Sequence, residues 1–174
     1  YTGLAQSVSG FTATGLVNGE TTSVLSGVTA SGAIGTNAAT YTNTVTGTDN
    51  NYNLTLVNGS LVIGKANATV TANSSNVTYT GLAQSVSGFT ATGLVNGETT
   101  SVLSGVTASG ATGTNAATYT NTVTGTDNNY NLNLVNGSLV IGKASLVVTA
   151  DNKTRVYGDA NPLLTYTLTG FVNS

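Results

Sequence analysis

The sequence predicts a mostly-β protein built from small domains in tandem, with one short helix in each complete unit. Three observations predict it. The chain repeats with a period of 78 residues, so that Tyr1-Thr2-Gly3 returns as Tyr79-Thr80-Gly81. Short runs alternate apolar and polar residues, as at Ala68, Val70 and Ala72, which is the two-residue period of a half-buried strand. Clusters of turn-forming residues separate the runs, among them Ser74-Ser75-Asn76 and Asp127-Asn128-Asn129.

The repeat fixes the domain organisation. Residues 1–65 match 79–143 at 63 of 65 positions, the exceptions being Ile34 against Thr112 and Thr55 against Asn133. A third copy is due at Tyr157 and diverges at once into "YGDANPLLTYTLTGFVNS". The stretches beginning at Lys65 ("KANATVTANSSNVTYTG") and Lys143 ("KASLVVTADNKTRVYGD") align with each other, and each follows the closing run "NGSLVIG". Boundaries therefore fall at Lys65 and Lys143. Residues 1–65 form a repeat without its first strand, 66–143 a complete repeat and 144–174 the truncated start of a third, as expected of a slice from a longer array.

Within 66–143, strands are expected at 67–73, 77–80, 83–92, 105–109, 117–125, 130–135 and 138–142. The last two should be joined as a hairpin through Asn136-Gly137, because Asn-Gly suits the two positive-φ positions of a type I′ turn. The segment Asn96 to Gly105 breaks the strand pattern. Glu98 comes early, Val102 and Leu103 late, and Gly105 stands where a helix would end, so one to two helical turns are expected there. Thr99 and Thr100 are poor helix formers, which leaves packing to hold the segment. The core should come from Phe89, Leu94, Val102, Leu103, Val106, Tyr119, Val123, Tyr130, Leu132, Leu134, Leu139 and Ile141.

Composition narrows the function. Four basic residues, six acidic residues and no histidine leave 6% of the chain charged, against about 25% in ordinary soluble domains. Threonine, asparagine, serine and glycine must supply solubility. There is no basic patch to neutralise phosphates, so nucleic acid is not an expected partner. No apolar run approaches the ~20 residues of a membrane helix, and no membrane insertion is expected. Cysteine is absent, which removes disulfides and thiolate sites. With neither histidine nor cysteine, and no visible pairing of carboxylates, the chain offers no catalytic constellation; neither enzyme activity nor a cofactor is expected. A weakly acidic β chain of this composition points to a secreted or bacterial cell-surface setting.

Three motifs suggest chemistry. Thr118, Thr120, Thr122, Thr124 and Thr126 form a ladder on one strand face, with Tyr119 and Val123 on the other. Ice binding needs many such rows stacked regularly, and one row per 78 residues favours an ordinary outer strand face. Asp49, Asn51 and Asn53 resemble the opening of a calcium loop, as do Asp127, Asn129 and Asn131. Position six is then Leu54 rather than Gly, and position twelve Ser60 rather than Glu. Asp49, Asn51, Asp127 and Asn129 are the candidate calcium ligands, and the simpler reading of all four is a turn. Lys143 with a neighbouring Asn or Asp could form an isopeptide bond, but its place at a domain junction suits a solvated lysine.

Two stretches carry a family resemblance. "VTYTGLAQSVSGFTATGLVNGET" (Val77 to Thr99) with "NYNLNLVNGSLVIGKA" (Asn129 to Ala144) resembles the YDG domain of large bacterial adhesins, with Thr80 where the family name has Asp. "LVVTADNKTRVYGDANPLLTYTLTGFVN" (Leu146 to Asn173) resembles the related MBG, or mostly β-grasp, domain. The resemblance implies tandem β-grasp-like domains that serve as stalk repeats in secreted proteins of the filamentous-haemagglutinin type. It brings no catalytic residues. Repeats of an immunoglobulin-like β-sandwich are the alternative fold. The implied partners are neighbouring repeats of the same chain, with any host or matrix ligand bound elsewhere. The alternative is that the repeats themselves bind a glycan or matrix protein, which the lack of tryptophan weakens.

Overall fold

A computed structural model describes residues 1–172. The chain is mostly β, in small sheets of two or three strands. It divides into two compact units: Tyr1–Thr69 with Ala91–Val106 and Gly125–Asn133, and Val70–Thr90 with Thr107–Thr124 and the chain from Leu134 onward.

The second unit shows how the pattern is read. Gly137–Gly142 is the middle strand of a three-stranded sheet. Thr118–Asn121 runs antiparallel to it, with Tyr119 opposite Leu139, and Ser75–Thr78 runs parallel to it, with Val77 opposite Ile141. A parallel pair cannot be closed by a tight turn, and here most of the repeat intervenes. A second pairing sets Gln84–Val86 against Ala111–Gly113. Leu139 and Ile141 of the first sheet and Ala111 of the second form one buried cluster, with half-buried Val77, Tyr79, Val86 and Tyr119 packed against it. Gly113 is required at its position, since a Cβ there would lie 2.2 Å from the Tyr119 ring. In the third repeat, Val147–Ala150 pairs antiparallel with Tyr166–Thr169, and all four residues of the first strand are exposed.

The first unit repeats the two antiparallel pairings with equivalent residues and holds one more. Gln6–Val8 pairs with Ala33–Gly35, Thr40–Asn43 with Gly59–Val62, and Val28–Ala30 with Val45–Gly47. Leu25, Val28, Ala33 and Ile63 are buried, as are Leu103, Val106, Ala68 and Tyr130 in the same unit. One further sheet, in the order Phe89–Thr92, Ala66–Ala72, Tyr130–Val135, belongs to the second repeat, and the division between units runs through its three strands.

Several expectations need correction. Asn96 to Gly105 forms no α-helix; it holds only a 3₁₀ turn at Thr100–Val102, as Thr22–Val24 does in the first repeat. Asn96 and Gly97 both adopt positive φ, which stops a helix from starting there, and threonine does not compensate. Asn136-Gly137 is not a hairpin turn. Neither residue has positive φ, and the strands on either side enter different sheets. The expected strand 83–92 is split by Gly88 at φ +79°, and 117–125 is split at Thr122. Ala111–Gly113 is a strand the pattern did not announce. Val102 and Leu134 are exposed rather than core.

Candidate functional site

The residues of the predicted turn define a junction between the first and second repeats, inside the first unit. Asp127 accepts hydrogen bonds at one carboxylate oxygen from the N–H groups of Asn129 (2.7 Å) and Tyr130 (3.0 Å). That Asx turn orients Asn129. Its side-chain oxygen accepts from the Ala38 N–H at 2.8 Å and its amide donates to Asn37 at 3.2 Å, two contacts to the preceding repeat. Lys65 donates to the Asp127 carbonyl at 2.7 Å.

A second cluster lies beside it. Tyr130, buried, donates its hydroxyl to one oxygen of Glu98 and accepts from the Val95 N–H at 2.9 Å. Tyr1 donates to the other oxygen of Glu98 at 2.5 Å, so one carboxylate holds two phenols. The rings of Tyr1 and Tyr130 meet edge to face, 5.4 Å apart at 79°. The hydrogen bond to Glu98, with burial second, pushes the Tyr1 phenol up to about 12, because ionising it would place two anions side by side. Burial, and then its own hydrogen bond to Glu98, raises Tyr130. Gly3 lets the chains approach: it has φ +74°, and a Cβ there would lie 2.8 Å from the Asn96 Cβ. The first repeat carries the same internal pair, Tyr52 donating to Glu20 and accepting from the Val17 N–H.

Asp49 makes the same turn as Asp127, accepting from Asn51 (2.8 Å) and Tyr52 (3.1 Å). The candidate calcium ligands thus spend their Asp oxygen on backbone and, in the second repeat, the Asn129 amide on the preceding repeat. Among the described residues, no three His, Cys, Asp or Glu side chains come together as a metal site. Thr118, Thr120, Thr124 and Thr126 are exposed, as a ladder on the outer face requires, and Lys143 is exposed as well.

Two features escaped the sequence reading. Glu98 enters the sequence expectations only as an early acidic residue of the expected helix, although it is the one glutamate of its repeat; its partners Tyr1 and Tyr130 lie 97 and 32 residues away. Asn121 is fully buried beneath the threonine ladder. It accepts from the Gly110 N–H at 2.9 Å and donates to the Asn73 and Gly88 carbonyls at 3.0 and 3.3 Å. Strict alternation from Tyr119 to Val123 does place it inward.

The family described as MBG domain (YGX type) matches three successive stretches of the chain, residues 1–62, 68–140 and 146–174. Neither a curated protein nor a solved structure matches it.

Proposed function

The chain belongs to the MBG domain family, YGX type, and from that premise we propose that it forms spacer repeats in the stalk of a secreted or surface-anchored bacterial adhesin. The observation that carries this reading is the junction between consecutive repeats. Tyr1 and Ala38 of one copy are tied to Glu98 and Asn129 of the next by direct hydrogen bonds, with no intervening linker. Contacts of this kind make neighbours in an array stabilise one another. The proposal includes a β-grasp-like unit in which the 3₁₀ turn Thr100–Val102 stands in place of the short helix. The polar, uncharged threonine face supports a role in solvating the array rather than in chemistry.

The test separates spacing from ligand binding. Presented on arrays of host glycans and matrix proteins, the 174-residue chain is expected to retain none. Saturable retention that is lost on replacing exposed Tyr or Thr residues would move the binding role into the repeats.

A further inference from the structure

The first and last stretches of the complete repeat run side by side in the same direction. In the second unit, Ser75–Thr78 pairs parallel with Gly137–Gly142, Ser75 facing Leu139 and Thr78 facing Gly142. The Tyr79 N–H donates to the Gly142 carbonyl at 2.8 Å, which carries the pairing one residue further. Just upstream, the Ser138 N–H donates to the Ser74 hydroxyl at 3.0 Å. Gly137 approaches so closely that a Cβ there would overlap the Ala72 and Asn73 carbonyl oxygens. At the other end of the two stretches, inside the first unit, the Ala66 N–H donates to the Asn129 carbonyl at 2.9 Å and the Asn131 amide to Asn67 at 3.3 Å. Partners stand 64 residues apart at Asn67, at Ser74 and along Ser75–Thr78, so neither stretch reverses against the other.

That shared direction has a mechanical meaning in an array. Tension reaches the repeat from its predecessor at Lys65 and leaves for its successor at Lys143. It pulls the first stretch toward its N-terminal end and the last stretch toward its C-terminal end. In parallel strands these two pulls slide one strand along the other, so the cross-strand bonds must yield together. Strands pulled apart from one shared end give way bond by bond instead. We propose that the pairing of residues 66–79 with residues 129–142 is a tension clamp, by which each repeat resists stretching of the array; this further function rests on the spacer reading. Val70 and Ala72 of the first stretch and Leu139 and Ile141 of the last are buried, so sliding would also drag apolar groups into water. Asn121 fastens the first stretch from the side, donating to the Asn73 carbonyl at 3.0 Å.

The chain has no cysteine, so a pair of introduced cysteines fixes the direction of pull in a single-molecule force experiment on all 174 residues. Gly64→Cys with Lys143→Cys loads the two stretches along their length. Both positions are exposed, and a side chain added at Gly64 meets nothing within 4 Å. Thr80→Cys with Lys143→Cys pulls instead on the neighbouring C-terminal ends of the same pairing and peels it open; Thr80 is exposed as well. Both double variants should keep the thermal unfolding of the unaltered chain, so that direction alone distinguishes them.

At one loading rate, the first pair is expected to unfold at a force at least about twice that of the second, because forced unfolding follows the unfolding rate rather than equilibrium stability. The extension gained, about 280 Å for the first pair and about 230 Å for the second at ~3.6 Å per residue, identifies the second repeat as the part that opened. Equal forces, or a lower force along the strands, would overturn the clamp and leave the spacer reading standing. So would an extension far short of about 280 Å at the force peak of the first pair, which would place the resisting contacts elsewhere.

Discussion

At the residue scale, the buried asparagine under the threonine ladder sets the clearest energetic expectation. Asn121 makes three hydrogen bonds with no exposed surface, and Asn43 makes two in a more open setting. Removing a side chain that satisfies buried backbone groups costs the desolvation of each orphan. Asn121→Ala should cost about 2–4 kcal/mol and Asn43→Ala roughly half of that by urea unfolding; equal losses would mean that the strand over Asn121 contributes nothing. The tyrosines make a second prediction. Tyr1, raised to about 12, and Tyr130, also raised, stay neutral in the folded chain above the pH at which the unfolded chain ionises them. Their stabilisation is therefore complete below about pH 10 and is lost as pH rises toward 12. Glu98→Gln should make that decline in stability between pH 10 and 12 shallower, leaving the part that burial contributes at Tyr130 and Tyr1 and the part contributed by Tyr52, which Glu20 raises in the same way. An unchanged pH profile in the variant would contradict the shared-carboxylate account. The tyrosine pairing was not legible beforehand, because it joins residues far apart in sequence.

At the element scale, most strands were legible, though not Ala111–Gly113, and strand partnership was not. Tyr130–Val135 matched its expected range residue for residue, because a clean alternation between turn signals leaves little choice. The Asn-Gly step after it misled: a hairpin signal is local, whereas a long-range parallel partner, Ser75–Thr78, captured Gly137–Gly142. The helix expectation failed for a local reason, the positive φ of Asn96 and Gly97. Small residues at strand contacts carry information that hydropathy ignores. Gly35 and Gly113 sit under tyrosine rings, so Gly113→Ala should force Tyr119 off Leu139 and Ile141 and cost about 1–3 kcal/mol. Gly64→Ala, in open space, is the control and should cost within about 0.5 kcal/mol in the same thermal unfolding experiment.

At the scale of the whole molecule, the tandem organisation was legible from the 78-residue period alone, and the family match covers three successive copies. What the period could not convey is that compact units and sequence repeats differ. The first unit takes in all of residues 1–65 together with part of the second repeat, because the junction contacts at Glu98 and Asn129 bind the two. Repeats coupled in this way should unfold together rather than as independent domains. The central claim, that such coupling builds a spacer, is tested most directly by small-angle scattering on chains of three and six joined copies of residues 66–143. The account predicts a radius of gyration that grows about twofold with the doubling. Growth of only about 1.3-fold, the scaling of a compact globule, would contradict it.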